Sequence, residues 1–448
     1  MKKALQRTLS LFLVLVMAFA FVPNTTAFGE ISNQPDEDFI AFHNVLVDEF
    51  GLEFANNYHV AIETANIIYD NFPRNRMGEI MYPDYFGGMY IDEFGVLNVL
   101  VTQSSAVHMR QFDAVGVLSE FDEMSVLTVG QMQATVVRGV EFTYAELWRI
   151  QNLLNEIIPP HFETNPVAAN ARSWFIDVIG NRVVVELADY TLENIRGFKS
   201  YFINESAIVF AEFSGEMNLN FDVYTFHSYE TKNAFEAIFE PLNIIWVRAG
   251  EQIVLSNGSS GSVGYSATRL GGRGFVTAGH LGPGTTSLTD GVVVRNAFGQ
   301  RIGVVRGVHL SLVDAAFVLF DANVRFAGHC HITQMPFAPG NQHQPHLTFP
   351  GIFVASIGFV THHRTGVILQ SATSINLPTA GFLPNVVRAS YVSNNGDSGG
   401  IVYAFDGNQS TAIGHHVGNR QSDNSSFFVR SDITNQLLGT TSTWPDGP

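Results

Sequence analysis

The stretch NNGDSGGIV, residues 394–402, sets a small hydroxyl among glycines close to the end of a 448-residue chain. Ser398 at its centre fits three interpretations. It can lie in a polar turn, in the nucleophile elbow of an α/β-hydrolase, whose Gly-x-Ser-x-Gly pattern it satisfies, or in a nucleophile loop of another class. The pentapeptide alone does not choose among them, so the residues upstream have to decide.

The order of residues along the chain argues against the hydrolase elbow. An α/β-hydrolase places its acid and then its histidine after the serine, on alternating strands and helices. Only 50 residues follow Ser398, and those before it form short apolar runs between Gly, Ser and Asn turns: EQIVL, SVGYSAT, GFVTA, GVVVRN, RIGVVRG and AAFVLF. Many short strands at regular spacing predict an all-β barrel or sandwich after about residue 245.

The opposite order, His then Asp then Ser, fits the chain well. GFVTAGH ends at His280 directly after an apolar strand, and Asp314 precedes the apolar run AAFVLF. Attack by a hydroxyl near neutral pH needs a base to take its proton and a buried carboxylate to orient that base. We therefore expect Ser398 to be the nucleophile, His280 the general base and then acid, and Asp314 the orienting carboxylate. Gly396 lets the backbone turn so that the N–H groups of Gly396 and Ser398 face a developing oxyanion.

Three motifs together resemble a known family. Thr277–His280 (TAGH), Asp314 with the AAFV that follows it, and Gly396–Gly400 (GDSGG) are similar to the three signatures of chymotrypsin-fold serine proteases, most closely the bacterial α-lytic protease and streptogrisin branch. The resemblance covers most of residues 245–448 and places the start of the protease domain near Ile245. It implies an all-β double six-stranded antiparallel barrel and a serine endopeptidase that acts on protein or peptide substrates without a cofactor or metal.

The chain departs from this branch in its cysteines. Members of the branch carry two cysteine pairs, and this chain has Gly261 and Leu281 at the positions of one pair, Ala355 and Thr365 at those of the other. Its only cysteine is Cys330. Because no internal disulfide can form, packing and hydrogen bonds alone must hold the protein together.

A second departure concerns the aspartate next to the nucleophile. The branch has an arginine that pairs with this aspartate, and the alignment gives Ser356 at the arginine position. Asp397 therefore needs another partner, which the sequence does not identify.

The segment STAIGHHVGNRQ, residues 410–421, resembles the strand that lines the substrate pocket in this branch. Glutamyl-specific relatives have a histidine where this chain has His416, and pocket serines at the positions of Ser393 and Asn419. An imidazole with hydroxyl and amide groups is a suitable receptor for a carboxylate. The resemblance thus predicts cleavage after Glu, or Asp. In the alternative, His415 and His416 are ordinary strand residues and the pocket takes small apolar side chains.

The N-terminus has the pattern of a secretory signal. Lys2, Lys3 and Arg7 precede an apolar run from Leu9 to Val22, and small residues follow. A basic start, an apolar stretch of this length and a small-residue exit predict a cleaved signal peptide over residues 1–27 and a secreted, extracellular protein. No later segment is apolar and long enough to cross a bilayer, so we expect no membrane partner.

Residues 28–244 have a different sequence pattern, with helical periodicity, and are expected to form an α+β pro-region. Residues 36–50 have helical spacing, and a capping box at Thr143 begins the helix TYAELWRIQNLLNEI. The hairpin pattern at 87–102 recurs at 173–187, followed by the helical segment TLENIRGFKSYF. The repeat predicts a duplicated α+β unit, although hairpins of this length also resemble one another by chance.

Charge is distributed unevenly between the two halves. From Ile245 to the end there are 11 Arg and 9 acidic residues, a net charge of +2, whereas the preceding part has 13 basic and 32 acidic residues, a net charge of −19. An acidic front half and a slightly basic back half attract each other, as expected for an intramolecular pro-region. Neither half has the basic face that nucleic-acid binding requires.

A cluster of histidines offers a metal-binding interpretation. GHCHIT contains His329, Cys330 and His331, and NQHQPH contains His343 and His346. Alternating ligands can bind zinc, but no fourth group at a closed spacing follows, so loop or strand roles are favoured.

The sequence therefore predicts a secreted monomeric zymogen: signal peptide 1–27, pro-region 28–244 and serine protease domain 245–448. A self-processing enzyme that cuts after Glu would have to use Glu240 or Glu251, the glutamates on either side of Ile245. Neither is suitable, because Glu240 precedes a proline and a cut after Glu251 would remove the first residues of the expected protease domain. The rival hypothesis from another functional class is a catalytically silent, protease-like binding module that keeps its front domain.

Overall fold

A computed structural model of the chain describes the following residues: 37–76, 79–102, 124–129, 132–219, 222–223, 244–282, 288–330, 338–340, 345–377, 381–405 and 409–446. From Asp38 onward the chain forms one compact unit. The predicted signal peptide lies outside the described residues. Among those described, no helix has the length and apolarity to cross a bilayer.

The front half mixes helices and short strands, as its composition predicts. Its helices are α1 Glu37–Phe50, α2 Leu52–Asp70, α3 Tyr144–Ile157, α4 Pro166–Asn170 and α5 Leu192–Tyr201, with a 3₁₀ turn at Pro159–His161. Its strands are β1 Phe86–Ile91, β2 Leu97–Thr102, β3 Met124–Val129, β4 Met132–Val140, β5 Ala171–Asp177, β6 Arg182–Leu187, β7 Ile208–Glu212, β8 Met217–Leu219 and β9 Asp222–Val223.

Helix α3 begins where its sequence predicts. The backbone N–H of Glu146 donates to Thr143 Oγ1 at 3.1 Å, and Thr143 N donates to Glu146 Oε2 at 2.8 Å. This reciprocal pair satisfies two backbone donors that a helix N-terminus otherwise leaves unpaired. The predicted capping box is therefore present, and the helix ends before the prolines of the 3₁₀ turn.

The two predicted hairpins have the same topology. Strands β1 and β2 pair antiparallel, and β2 then pairs parallel with β4. Strands β5 and β6 likewise pair antiparallel, and β6 pairs parallel with β7. A duplicated unit would produce this arrangement, but the duplication itself stays a prediction.

Short strands dominate the back half. They are β10 Ile245–Val247, β11 Gln252–Leu255, β12 Ser259–Ser262, β13 Ser266–Arg269, β14 Gly272–Ala278, β15 Val293–Asn296, β16 Arg301–His309, β17 Ala315–Phe320, β18 Val324–Phe326, β19 Phe353–Gly358, β20 His362–Leu377, β21 Gly381–Ala389, β22 Ile401–Phe405, β23 Ser410–Arg420, β24 Ser425–Arg430 and β25 Thr441–Ser442. A 3₁₀ turn at Pro345–Leu347 and helix α6 Ser431–Leu438 complete it. Each apolar run that predicted a strand contributes residues to one.

Most of these strands form two separate antiparallel sheets, while β10 and β18 pair parallel with each other. In the first, the neighbours are β13-β14-β17-β16-β15-β11-β12, with β25 and β9 added at its ends. In the second, β19-β22-β23-β24-β21-β20 closes on itself, because β20 also pairs with β19. The second sheet is thus a closed six-stranded barrel, and the expected all-β double-barrel architecture of the back half is confirmed.

Within each missing cysteine pair, the two residues that replace the cysteines lie next to each other. A Cβ atom on Gly261 would lie 2.5 Å from Leu281 Cδ1, so the buried leucine fills the place of the missing side chain. Ala355 and Thr365 lie directly opposite each other on β19 and β20. Packing and strand pairing therefore replace the two covalent links.

The front half is built into the second sheet. Strand β20 extends beyond the barrel, and its end pairs antiparallel with β5, where Thr373 faces Phe175. Gln151 of α3 covers this junction, since its Nε2 donates to Ser374 Oγ at 3.0 Å and to Trp174 O at 3.2 Å. The result is a ten-stranded sheet that contains strands of both halves.

Helices α1 and α2 share a hydrophobic core with the second barrel. The rings of Phe42 and Phe405 stack with their centroids 4.3 Å apart. Tyr58 is fully buried, and its hydroxyl accepts a hydrogen bond from the backbone N–H of Phe353 at 2.9 Å. Burial raises the pKa of the Tyr58 phenol, which therefore stays neutral.

Replacing Tyr58 by Phe tests this contact. The Tyr58→Phe variant leaves the buried N–H of Phe353 without its acceptor, so we expect the free energy of unfolding to fall by about 1–3 kcal/mol. Urea unfolding of the full chain, in a Ser398→Ala background, measures it. Tyr190→Phe is the control, because Tyr190 is exposed; equal stability of both variants would contradict the role of Tyr58.

Candidate active site

Strand pairing brings the first two candidate residues together. Strands β14 and β17 are antiparallel neighbours, with Ala278 opposite Ala315. His280 follows the end of β14, and Asp314 immediately precedes β17. The register of one ladder therefore places the two side chains at the same end of the first sheet.

The three candidate side chains form a continuous hydrogen-bonded chain. His280 Nδ1 lies 2.5 Å from Asp314 Oδ2, and the backbone N–H of His280 donates to Asp314 Oδ1 at 2.8 Å. His280 Nε2 lies 2.8 Å from Ser398 Oγ. Asp314 is fully buried, so its charge is not screened by water. A carboxylate holding Nδ1–H leaves Nε2 as the acceptor for the serine proton.

Ser262 joins the nucleophile loop to the first sheet. Its N–H donates to Ser398 O at 2.8 Å, and its hydroxyl donates to Gly396 O at 2.8 Å. The same hydroxyl accepts from Phe359 N at 3.0 Å, while Ser262 O accepts from Thr277 Oγ1 at 2.8 Å. Ser398 leads into β22 of the second sheet, so the contacts of Ser262 fix the two sheets relative to each other at the candidate site.

Two glycines in the loop are required by its backbone. Gly396 has φ 103°, and a Cβ there would lie 2.5 Å from the Phe359 ring. Gly399 has φ 87°, and its Cβ would collide with Thr277 Oγ1. In the described part of the chain, neither Gly396 N nor Ser398 N donates to a backbone carbonyl. These two N–H groups are the ones expected to stabilise an oxyanion.

Backbone N–H groups and one hydroxyl bind the Asp397 side chain, and the sequence did not predict these partners. Its Oδ1 accepts from the backbone N–H groups of Val360 and Thr361, both at 3.0 Å. Its Oδ2 accepts from Thr361 Oγ1 and from Asn394 N, both at 2.8 Å. Four neutral donors thus hold this buried carboxylate where the related proteases are expected to use an arginine.

The three predicted pocket residues belong to one hydrogen-bonded cluster. Asn419 Nδ2 donates to Ser393 O at 2.9 Å, and Ser393 Oγ lies 2.8 Å from Ser426 Oγ. The Ser426 hydroxyl donates to Tyr391 O at 2.7 Å, and the Tyr391 hydroxyl lies 3.0 Å from Nδ1 of His416. Tyr391 and Ser426 were missed in the sequence, since nothing near them has a recognisable spacing.

The pocket cluster is connected to the nucleophile loop through backbone hydrogen bonds. Gly399 N donates to His416 O, and His416 N donates to Gly400 O, both at 2.8 Å. Burial lowers the pKa of His416 to about 3, so its imidazole is neutral at neutral pH. The contact between Tyr391 and Nδ1 can form with either atom as the donor, depending on the tautomer of His416.

The chain resembles known proteins over more than half of its length. Among curated proteins, the chain matches Streptogrisin-C of Streptomyces griseus, with 28% identity over 279 residues that cover 61% of this chain. The chain is similar to Streptogrisin-C. The match covers 52% of the length of Streptogrisin-C, about half of that protein. The resemblance to the streptogrisin branch expected from the three motifs is confirmed.

A family model and solved structures give further matches. A model described as a Pro-like C-terminal domain matches residues 145–212, from α3 to β7. The structure of Cellulomonas bogoriensis chymotrypsin is 25% identical, covers 45% of this chain and 100% of that chain, and has a TM-score of 0.36. The structure of a Nocardiopsis protease is 25% identical, covers 44% and 100%, and has a TM-score of 0.37.

The histidines considered for a metal site have other surroundings. His329 Nε2 accepts a hydrogen bond from Arg248 Nε at 3.0 Å, and Cys330 is buried. His331 and His343 lie outside the described residues. Within the part of the chain that the structure covers, no three or more His, Cys, Asp or Glu side chains are grouped so that they could hold a metal ion.

His415 supports the candidate triad from the neighbouring strand. No catalytic part was expected for it, yet its Nε2–H donates to Asp314 O at 3.1 Å, and both residues are fully buried. Burial lowers the pKa of His415 to about 4. The neutral ring therefore helps to hold the backbone of Asp314.

The two neighbouring buried histidines predict a loss of stability in acid. An unfolded histidine has a pKa near 6.5, whereas the folded values are about 4 for His415 and about 3 for His416. Between these values the unfolded chain binds more protons, so stability is full above about pH 6.5 and falls as the pH drops towards 4. Each histidine contributes a slope of about 1.4 kcal/mol per pH unit.

Urea unfolding of the Ser398→Ala chain at several pH values between 4.5 and 7.5 measures this slope. In a His415→Leu variant one titrating group is removed, so the slope near pH 5 should decrease by about 1.4 kcal/mol per unit. The same slope in both proteins would show that His415 does not resist protonation.

Proposed function

We propose that this chain is a secreted serine endopeptidase that is made as a zymogen. The observation that carries the proposal is the hydrogen-bonded chain from buried Asp314 through His280 to Ser398 Oγ. Its homologues are bacterial chymotrypsin-fold serine proteases. The proposed substrates are proteins or peptides, and the reaction requires no cofactor.

The geometry supports acyl transfer through the serine. Ser398 Oγ attacks the carbonyl carbon of a peptide bond while His280 Nε2 takes its proton, and Asp314 stabilises the imidazolium that forms. The N–H groups of Gly396 and Ser398 stabilise the negative oxygen of the tetrahedral intermediate. His280 then protonates the leaving amine. Water, activated by the same histidine, hydrolyses the acyl-enzyme and restores the serine.

The zymogen part of the proposal is supported by contacts between the halves. Glu186 of β6, in the front half, accepts three hydrogen bonds at 2.9–3.1 Å from the Arg420 guanidinium, at the end of the pocket strand β23. Both side chains are buried, so the pair is held in a low-dielectric environment. We infer that residues 28–244 act as an intramolecular pro-region and that residues 1–27 direct export.

A fluorophosphonate probe on processed protein tests the proposed chemistry. We expect covalent labelling of Ser398 and hydrolysis of a peptide substrate, with no labelling in Ser398→Ala. Asp314→Asn should lower kcat by about 10⁴-fold, because the amide favours the wrong histidine tautomer. Failure of the probe to label processed, folded wild-type protein would favour a catalytically silent binding module.

The proposed preference is for Glu, or Asp, before the scissile bond. We infer that Tyr391 donates to Nδ1, so that His416 carries its hydrogen on Nε2 and can donate to a carboxylate without first becoming charged. The rotatable hydroxyl of Ser393 and the amide of Asn419 lie in the same cluster. We infer that this cluster of neutral polar groups suits an acidic side chain better than a small apolar one.

Tyr391→Phe tests this preference. Losing one buried hydrogen bond of about 1–2 kcal/mol should lower kcat/KM for a Glu peptide by about 5–30-fold and leave an Ala peptide unchanged. Tyr403→Phe is the matched control, because Tyr403 also bonds a histidine, His363 Nε2, at 3.0 Å. Faster turnover of Ala or Phe peptides than of Glu peptides by the wild-type enzyme would exclude the acidic pocket.

A further inference from the structure

Within the described residues, the Arg420 side chain receives all its hydrogen-bond acceptors from the front half. Glu186 accepts from both terminal nitrogens of the guanidinium at 2.9–3.1 Å, and Ser214 O accepts from its Nε at 2.9 Å. The guanidinium carbon also lies 4.7 Å from the centre of the Phe213 ring. Departure of the front half would therefore take away all three contacts of this cation.

A neighbouring arginine of the back half has a carboxylate partner of its own. Arg388 Nε donates to Ser425 Oγ at 2.8 Å, and its Nη2 bonds to Asp423 Oδ2. Burial lowers the pKa of Arg388, an effect that the charge of Asp423 opposes and the charge of Arg420 reinforces. Two arginines and two carboxylates thus form one balanced cluster. Without Glu186 the cluster has one positive charge in excess.

Arg420 lies on the strand edge that the front half covers. Strand β8 pairs antiparallel with β23, and Leu219 at its end lies opposite Gly418. Met217 at its beginning lies opposite Arg420. A strand edge that is freed of its neighbour is available to an extended peptide, which can pair with it as an added strand. The edge beside Arg420 can therefore receive a substrate in the place of β8.

The register along this edge relates Arg420 to the candidate nucleophile. Val417 precedes Gly418, and its carbonyl oxygen lies 3.4 Å from Ser398 Oγ. The peptide residue opposite Val417 is thus the one whose carbonyl carbon is nearest to the serine. Because the strands run antiparallel, the peptide residues opposite Gly418, Asn419 and Arg420 come one, two and three positions earlier.

The two faces of β23 separate this position from the proposed pocket. Directly opposite residues of an antiparallel pair place their side chains on the same face, and successive residues alternate between faces. The peptide side chain opposite Arg420 therefore lies on the face of the guanidinium. Asn419 points to the other face, where its Nδ2 donates to Ser393 O at 2.9 Å.

We propose that Arg420, after the front half has left, binds the carboxylate of an acidic substrate residue three positions before the residue that Ser398 attacks. The planar guanidinium offers two parallel N–H donors to a carboxylate, as it does to Glu186 in the full chain. The inference rests on the proposed endopeptidase function and adds a second acidic position to its substrate.

Asp423 is the alternative partner for the freed Arg420. A move of its side chain to Arg420 would leave the buried Arg388 guanidinium without its carboxylate. Leaving a buried charge unpaired is costly, whereas a substrate carboxylate replaces Glu186 without disturbing Arg388. The substrate is therefore the favoured partner, and a substrate preference distinguishes the two cases.

Two chromogenic peptides test the proposal on the full-length chain after it has been processed. They are acetyl-X-Ala-Ala-Glu-p-nitroanilide with X either Glu or Gln, so that release of nitroaniline reports cleavage after the fourth residue alone. Strand β8 covers the edge with which the peptide would pair, so turnover reports only on molecules from which β8 has moved away.

The peptide with Glu at X should have a kcat/KM about fivefold higher than the peptide with Gln, mainly through a lower KM. Added salt should reduce this difference, because the freed guanidinium faces solvent. Equal kcat/KM for the two peptides, or a difference that salt does not change, would overturn the inference.

Variants of Arg420 test whether its charge is responsible. Arg420→Gln should turn over the two peptides equally. Arg420→Lys should keep part of the preference, because lysine keeps the charge but not the forked pair of donors. Arg364→Gln is the matched control, since Arg364 is an exposed arginine of the same barrel, and it should keep the full preference. A preference for Glu that survives in Arg420→Gln would contradict the assignment.

A second substitution protects the test against misfolding. In the full chain Arg420→Gln leaves Glu186 buried without its partner, which can prevent folding. Combining it with Glu186→Gln removes that charge, and the double variant should also turn over the two peptides equally. Glu186→Gln alone should keep the preference. If the variants at Arg420 do not fold, the wild-type comparison and its dependence on salt decide the question.

Fluorophosphonate labelling separates failure of the inference from failure of the proposed function. If the chain does not process itself, an added metalloprotease cuts it and is stopped with a chelator before the assay. Labelling of Ser398 without a preference for the Glu peptide would mean that the serine is active and only the inference fails. Neither labelling nor turnover would mean that the proposed function fails and the inference with it.

Discussion

One buried serine holds the two sheets together at the candidate site. Ser262 belongs to the first sheet, yet its N–H and hydroxyl both donate to carbonyls of the loop that bears Ser398. Because His280 and Asp314 come from the first sheet, their alignment with the nucleophile depends on these contacts across the interface. Their burial excludes competing water, which strengthens the hydrogen bonds and makes the loss of one costly. The geometry of the site thus depends on Ser262 although the residue has no chemical role.

The front half is part of the same structure and not an appended domain. It extends the second sheet through β5 and contributes Phe42 and Tyr58 to a core shared with the second barrel. It also binds the end of the pocket strand through Glu186 and Arg420. Cutting one peptide bond would remove none of these contacts. Under the zymogen proposal, cleavage and release of the front half are therefore separate events, because release requires separation of this packed interface.

The fold and the hydrogen-bonded chain of the candidate triad were predictable, because both have strong local signals. Apolar runs bounded by Gly, Ser and Asn predicted the strands of the back half, and three short motifs in one order predicted His280, Asp314 and Ser398. The partner of Asp397 was not predictable, since backbone N–H groups occur at almost every residue and leave no mark on a sequence. Tyr391, which orients His416, was missed for a related reason: a buried tyrosine serves far more often as core than as a polar contact.

The sequence by itself determined the types of element, the order of the chemical groups and the uneven charge of the two halves, because periodicity, motif order and composition are properties of neighbouring residues. Tertiary structure alone decided what those groups contact. The pairing of β8 with β23 and of β9 with β12 brings the front half to both sides of Ser398, almost 180 residues further along the chain. Pairing between such distant segments depends on how the intervening chain packs, which no local pattern records.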